Sequence, residues 1–559
     1  MIVYGDHPEE VAVADQLAAL ARQRLEVMAQ PPGIARHAGL ATLFIEVGRL
    51  IQGIADARFE ALGEDRSNEG VDRLMAHAGL LGAALMMSWD SGFTSVAAVP
   101  PLPLLTDVPE RVTLKQPEGY AFYALHPEAY AVAARRLQLD GSPRVIGIRS
   151  IGTALSALVA ATLGAPTPFT VRPVGHPFAR QLRIAPAAVA ALVVPDAHYI
   201  VVDEGPGLSG SSFAAVADFL AGNGVPRSRI AFLPSHAGDP GGEASDACHL
   251  LWREVQRVSA PVEEVLPIDR LGKWLETLVG PLAAPLEVVS GGRWRTLVGH
   301  EDWPADPARE PLKFLARAVG QRWLVKFLGL GVIGQRKLER AKDLAAAGLI
   351  PKPVGLAYGF IVQQWVDAET GIVPTVAQVA HYLATRRRAL APPRRQGASS
   401  ATLFDMARIN ITEALGDAAG LHFQLNFAPE EWRITPMSID GRMDRYKWLR
   451  LPDGTVLKAD ALDHDADHDL IGPQDIAWDV AGAIVELDLD EQALVAALGM
   501  AGVALDDRLL RFLKPCYLAY RIGHANRAAG SAGTDSDRAS QASRLARYRV
   551  LLEDVLVSA

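Results

Sequence analysis

Cysteine is all but missing from this sequence. Its 559 residues hold only Cys248 and Cys516, far apart and outside any CxxC pair. That excludes a disulfide framework and a thiolate zinc site, and it fits a reducing compartment. A basic, apolar start is lacking too: "MIVYGDHPEEVAVADQ" has neither part of a signal peptide. No uninterrupted apolar run approaches the roughly 20 residues of a membrane helix. A soluble cytoplasmic protein with no membrane partner is therefore expected. Positive charge is also in short supply. The net charge is −9, whereas a nucleic-acid binder needs a concentrated basic surface. Nucleic acid is thus not an expected partner. What is present is ordinary folded-protein material, 49% hydrophobic and 21% charged. The chain is too long for one core and long enough for roughly two to four domains.

Residues 8 to about 95 place apolar side chains at three- and four-residue intervals, as in "VAVADQLAALARQRLEVMA", which predicts helices with one buried stripe each. A Pro-rich break, "VAAVPPLPLLTDVPE", closes that segment. From about 115 to 285, short apolar strands alternate with helices: "PRVIGIRS" before "IGTALSALVAATLG", "HYIVVDE" before "SSFAAVADFLAG". Such alternation predicts a parallel sheet with helices on its faces. "LEVVSGGRWRTLVG", "EPLKFLARAVG" and "QRWLVKFLG" read as antiparallel strands joined by Gly-bearing turns. Mostly helical text follows, broken at 385–401 and 529–541. The expected fold class is multidomain α/β plus α+β: a helical N-terminal region at 1–110, a doubly wound parallel-sheet domain at 111–284 and a further domain at 285–559. Arg386, Arg387, Arg388, Arg394 and Arg395 read as a solvated loop. Trp323, Trp365, Trp448 and Trp478 read as core.

The stretch "YIVVDEGPGLSGSSF" ends a buried strand on Asp203 and Glu204. In open parallel sheets ligands bind beyond the carboxyl ends of the strands, where paired carboxylates suit the neighbouring hydroxyls of a sugar. Gly205, Gly207, Ser209, Gly210, Ser211 and Ser212 follow, and the glycines let backbone N–H groups approach an anion. The helix starting near Phe213 adds its positive end, and Ser211 and Ser212 add donors or a cap. The order resembles the phosphoribosyl-diphosphate motif of type I phosphoribosyltransferases, over about residues 115–270. That resemblance implies a diphosphate loop formed by Arg149, Ser150, Gly152 and Thr153. It implies a hood hairpin in "FTVRPVGHPFARQLRI", from which Arg172, His176, Arg180 and Arg183 reach the leaving group. It also implies phosphoribosyl diphosphate as donor and Mg²⁺, with Asp203 and Glu204 catalytic and Asp203 holding ribose or metal. Gly210 stands one position farther from the acids than in that family. A β–α turn of an unrelated doubly wound domain is the plain alternative.

"RWLVKFLGLGVIG" sets Lys326 on a strand, and Glu339 follows in a helical run. A strand lysine paired with a helix glutamate is how kinase-like folds hold the phosphates of ATP. "GLAYGFIVQQWVDA" then reads as two short strands ending in a Gln364–Val366 hinge where adenine would bind. "SIDGRMDRYKWLRLPDGTVLKADALDHDADHDLIGPQDIAWDVAGAI" resembles the catalytic segment of the aminoglycoside phosphotransferase and choline kinase superfamily, and the likeness spans about 285–525. It implies a bilobal kinase-like domain using ATP and Mg²⁺, with Asp440 as catalytic base. Asp463, or else Asp460, is the metal-binding acid, and Asp475 and Asp479 are structural anchors. Two departures stand out. The family's histidine two residues before the catalytic acid is Ser438, and its metal-binding asparagine is replaced by Arg445, with Lys447 nearby. Asn426 is a candidate substitute ligand. The run His464–Asp469 would suit zinc only on a helix and is read as an acidic loop.

Together the two resemblances imply a bifunctional small-molecule transferase: phosphoribosyl transfer in one half, ATP-dependent phosphotransfer in the other. The rival is a non-catalytic phosphoribosyl-diphosphate or nucleotide sensor with a degenerate kinase domain. Neither half reveals its acceptor, and a homodimer is compatible with the chain.

Overall fold

The computed structural model describes residues 1–5, 8–307, 309–428, 432, 434–462, 464 and 468–558. It divides into two compact units. One comprises Pro8–Trp274 with Gly329–Ile333; the other comprises Met1–His7, Leu275–Leu328 and Gly334–Ala559.

In the first unit the helices Val13–Ala29, Ile34–Leu62 and Glu69–Asp90 realise the predicted periodicity. The Ile34–Leu62 helix is long and apolar enough to cross a membrane, a feature the sequence reading passed over. Yet 83% of its most apolar window is buried inside the protein. These helices form one unit with the sheet, not the separate 1–110 region expected. The reason is close packing at glycine. A Cβ on Gly48 would lie 2.4 Å from Ala154 Cβ, and one on Gly82 would lie 3.0 Å from Leu158 Cα. Both contacts are on the Gly152–Leu163 helix behind the first sheet strand.

Strands β1 (Glu9–Ala12) and β2 (Arg111–Leu114) pair antiparallel across the helical segment. The main sheet begins with β3 (Ser142–Ile148) and β4 (Phe169–Val171). A hairpin of β5 (Val174–His176) and β6 (Ala179–Gln181) stands where the hood was expected. The sheet continues with β7 (Ala197–Val202), β8 (Ile230–Leu233) and β9 (Gln256–Arg257). Its order is β4-β3-β7-β8-β9, and every pair is parallel. Strand β7 is buried along its whole length, as a central strand covered on both faces must be. The chain reverses its direction of travel across the sheet between β3 and β7, which is the switch point where such sheets open a crevice.

The second unit is built on an antiparallel sheet: β10 (Glu287–Val288), β11 (Lys313–Ala318), β12 (Gln321–Phe327), β13 (Pro353–Ala357) and β14 (Phe360–Gln364), in the order β10-β11-β12-β14-β13. A smaller sheet follows, β15 (Glu369–Thr370), β16 (Trp448–Arg450) and β17 (Val456–Lys458). "WRTLV", expected as strand, is the short helix Trp294–Val298, ended by Gly299 in the left-handed conformation at φ 73°. Asp475 caps the Ile476–Leu487 helix by accepting from Ala477 N at 3.0 Å. Trp448 and Trp478 are buried, while Trp323 and Trp365 are only half-buried. Helix Val376–Ala389 runs into the stretch expected as a loop, which removes Arg386 from solvent altogether.

Candidate functional site

The first candidate lies at the β3/β7 switch point. Asp203 and Glu204 follow β7 there, both half-buried. Burial pushes the Asp203 carboxyl up to about 7, although N–H groups of Glu204 and Gly152 bond its charged form. Burial, then the charges of Glu118 and Asp203, push Glu204 up to about 8. Gly119 N donates to Glu204 Oε2 at 3.0 Å. A Cβ on Gly152 would lie 2.3 Å from Val202 O, so glycine there permits the β3–helix turn to close on β7. The other predicted turn residues are less exposed to a ligand than expected. Ser150 O accepts from Thr153 N, and Thr153 Oγ1 is buried without a hydrogen-bond partner among the described residues.

Two arginines expected on the diphosphate are held in ion pairs. Arg149 is buried, with Nε 2.9 Å from Asp56 and a further ion pair to Asp65. Arg172 Nε lies 2.8 Å from the same Asp56, and its NH1 donates to Arg149 O at 2.6 Å. Both guanidiniums are spent on acids of the helical layer, because an arginine at the end of a buried strand needs a nearby carboxylate. Arg180 donates to Gly175 O within its hairpin. The glycine loop keeps its shape: Gly207 and Gly210 sit at φ 64° and 63°, and Ser211 begins the next helix, with Ser212 behind it. Ser209 and Ser211, however, both donate to Pro177 O at the hairpin tip, at 3.3 and 2.7 Å.

The second candidate is a cavity in the other unit. Its wall carries Lys326 from β12, the hinge residues Gln364 and Val366, and Lys447, Lys458 and Asp460. Gln364 N donates to Lys352 O at 2.9 Å, holding the hinge to the sheet. Lys326 Nζ meets Asp460 Oδ1 at 2.5 Å. Glu339, expected as its partner, is exposed and pairs with Lys342 at 2.8 Å. The phase of the Gly331–Ala346 helix decides this. It turns Arg340 inward, where NH1 donates to Leu462 O at 2.9 Å and NH2 to Ser438 Oγ at 3.2 Å. Trp294, Trp303 and Tyr446 line the same cavity, with ring centroids 5.7–6.5 Å apart. Sequence reasoning missed this aromatic wall, since Tyr446 lies far along the chain from Trp294 and Trp303.

Asp440 stands at the expected place but is fully buried. It accepts from Lys458 Nζ at 3.1 Å and from Tyr382 OH at 2.5 Å. Burial raises its carboxyl, but the Lys458 and Arg386 charges outweigh burial and hold it below the usual range. Asp479 accepts from the N–H groups of Asp440 and Gly441, both at 2.8 Å. It does what an anchor does. Arg386 is the unforeseen member: its guanidinium donates to the carbonyls of Ser438, Ile439 and Ala461, each at 2.9 Å. It ties the backbone just before Asp440 to that of Ala461.

The expected metal acids divide between described and undescribed residues. Asp463 lies outside the described residues, and Asp460 is the acid that meets Lys326. Burial raises the Asp460 carboxyl, but the Lys326 and Lys447 charges hold it well below the usual range. Its Oδ1 accepts from Lys326, and its Oδ2 accepts from Lys447. Lys447 also lies 3.2 Å from His464 Nε2. Burial, partly offset by Asp460, lowers the Lys447 ammonium to about 8. Arg445, at the asparagine position, donates to Gly371 O. Asn426 is exposed and bonds His422 O of its own helix at 2.9 Å. Mg²⁺ needs a set of oxygens with free lone pairs; among the described residues, both oxygens of Asp460 already accept from ammonium groups. His464 and His468 turn to different partners, His468 presenting its ring edge-on to Tyr4 at 4.9 Å.

No protein-family model matches the chain, and no curated protein matches it. Among solved structures it is similar to choline kinase LicA from Streptococcus pneumoniae, at 16% identity and TM-score 0.31, covering 44% of this chain and 90% of that one. It is similar to the spectinomycin phosphotransferase APH(9)-Ia in complex with ADP and spectinomycin, at 11% identity and TM-score 0.36, covering 52% and 98%. A type I macrolide 2'-phosphotransferase gives 13%, 0.34, 49% and 95%. At such identities and scores the likeness says nothing of this chain's own substrate.

Proposed function

We propose that the second unit binds a nucleotide in the Lys326–Asp460 cavity and that binding, more than turnover, is its task. One observation carries this reading: Lys326 and Asp460 converge on a cavity that also presents the Gln364–Val366 hinge and a wall of aromatic rings. A cation for phosphates and flat apolar surfaces for a base are the two things a nucleotide pocket needs. Against turnover stands the burial of Asp440, because a general base must come within hydrogen-bond reach of its proton. Phosphoryl transfer to a small-molecule hydroxyl is the second reading. It is favoured by the Asp479 anchor, which holds Asp440 on the catalytic segment. It requires Asp440 to leave Lys458 and Tyr382.

For the first unit, binding of phosphoribosyl diphosphate is a proposal supported by position alone. Asp203, Glu204 and the Ser209–Ser211 loop meet at the switch point, while Arg149 and Arg172 are engaged elsewhere.

One screen tests these readings together. Apparent stability is measured with ATP, ADP and phosphoribosyl diphosphate, each with and without Mg²⁺, since a ligand of the native state must raise it. ADP and ATP are expected to stabilise the wild type, and Lys326→Met is expected to lose that response. A wild type indifferent to both nucleotides in every buffer removes the nucleotide reading. ATP consumption that depends on an added hydroxyl acceptor would promote the second reading over the first. Stabilisation by phosphoribosyl diphosphate would support the switch-point site.

A further inference from the structure

We propose that the segment Ser290–Ala305 is a strap drawn over this cavity and latched to the C-terminal helix, so that a base enters only when the latch between Arg295 and Asp537 opens; the inference rests on the nucleotide reading above. The strap belongs to the connection between β10 and β11 and supplies Trp294, Val298 and Trp303 to the cavity wall. Its indoles close against the smaller sheet. Trp294 lies nearly parallel to Tyr446, at 25° and 6.5 Å between centroids, and Trp303 comes within 5.7 Å of the same ring. A Cβ on Gly371, just after β15, would be 2.5 Å from the Trp303 indole, so glycine lets that ring settle there. Two flat rings that hold a base between them stand at least about 7 Å apart, twice the contact distance of carbon atoms. The strap's rings are closer than that to Tyr446, and must move before a base can stack there.

Polar bonds, not a core, hold the strap in place. Within Ser290–Ala305 only Gly292 and Ala305 are buried, and neither brings a large apolar side chain. Arg295 is the central tie. Its Nε donates to Gly292 O at 3.0 Å, and its Nη1 donates to Trp303 O at 2.8 Å and to Asp537 Oδ1 at 2.7 Å. Asp537 is buried in the first turn of the Asp535–Val557 helix, and the Thr534 hydroxyl donates to its Oδ2 at 2.7 Å. One turn on, the buried Gln541 donates to Ala305 O at 2.9 Å, and Ser540 donates to Asp302 O at 3.3 Å. Positions three and four apart share a helix face, so one face of the C-terminal helix grips the strap. A segment held by a few polar bonds over little apolar surface opens at low cost. That is what a gate requires.

Stopped-flow mixing of ADP with the full chain, followed by tryptophan fluorescence, tests this beside hydrogen exchange of residues 290–305 in the ligand-free protein. The wild-type observed rate is expected to level off as ADP is raised, because opening of the strap then limits entry. Arg295→Met combined with Asp537→Asn removes the ion pair without leaving a buried charge unpaired. This double variant should exchange residues 290–305 at least about tenfold faster, with the Ile476–Leu487 helix unchanged. It should also take up ADP at least about fivefold faster, since more of the protein is open to it. Gln541→Met loses only the Ala305 bond and should fall between wild type and the double variant; if the double variant does not fold, it carries the same comparison. Unchanged exchange in the strap of the folded variants overturns the inference. Faster exchange with an unchanged rate of ADP uptake also overturns it, and leaves the nucleotide reading standing. ADP binding by neither wild type nor variants removes the nucleotide reading and this inference with it, whereas binding that appears only in the variants supports both.

Discussion

Asp203 and Glu204 carry opposite lessons at the scale of single residues. Their position at a strand end was legible, because a buried apolar run that stops at two acids can be read locally. Their protonation was not, since burial and the nearby Glu118 raise both carboxyls, to about 7 and about 8. The folded state therefore binds these protons more tightly than the unfolded chain. Stability from this pair is full below about pH 4, where both states are protonated. It is lost as pH rises through about 7 and then about 8. Because both side chains are only partly hidden from solvent, the total is on the order of 1–3 kcal/mol. Urea midpoints measured between pH 5 and 9 should fall accordingly, and Asp203→Asn with Glu204→Gln should flatten the curve. A flat wild-type profile would contradict this account. A different constellation shows why geometry alone is not chemistry. His37 lies 3.1 Å from Ser88 Oγ and 3.0 Å from Glu128 Oε1, the three types of a hydrolytic triad. All three are buried, and no substrate can reach them; they knit helices together.

Among elements, glycines set the distances. Gly48 lies inside the Ile34–Leu62 helix, where alanine would ordinarily gain about 1 kcal/mol from propensity. Here the added Cβ would sit 2.4 Å from Ala154 Cβ, and overpacking costs about 1–3 kcal/mol. Gly48→Ala should thus be destabilising in urea. Gly79→Ala is the matched control, in the Glu69–Asp90 helix, where the new Cβ meets Ala157 O at an ordinary 3.7 Å. It should leave stability unchanged or raise it. If both variants behave alike, close helix packing is not what Gly48 provides. Helix phase is a second property of elements that sequence leaves open. The Gly331–Ala346 helix was recognisable, yet Glu339 faces solvent and Arg340 faces in. Its apolar positions do not settle which polar face meets Lys326.

At the scale of the whole molecule, the units do not follow chain order. The first residues belong with the second unit, not with the helices that follow them. Val3 is fully buried in its core, Ile2 N donates to Asn410 Oδ1 at 2.6 Å, and Asn410 Nδ2 returns a bond to Ile2 O at 2.8 Å. Losing the valine costs about 1.5–3 kcal/mol of burial, and leaving Asn410 Oδ1 without its donor adds about 1–3 kcal/mol. Deleting residues 1–5 should therefore speed hydrogen exchange in the Ser400–Leu415 and Asp507–Gly530 helices while sparing the parallel sheet. Equal exchange in both proteins would show that the segment is dispensable.

From sequence alone came the features that depend on near neighbours: helical periodicity, the strand–helix alternation of a parallel sheet, acids at the end of β7, Lys326 on β12 and the capped helix after Asp475. Each is a matter of local propensity and a repeat of two or about 3.6 residues. Only the tertiary structure decided the partners. It gave Lys326 to Asp460, gave Arg149 and Arg172 to Asp56 of the helical layer, and buried Arg386 against the backbone before Asp440. A buried charge takes whichever opposite charge the packing brings within reach, and these partners lie tens of residues or more away along the chain.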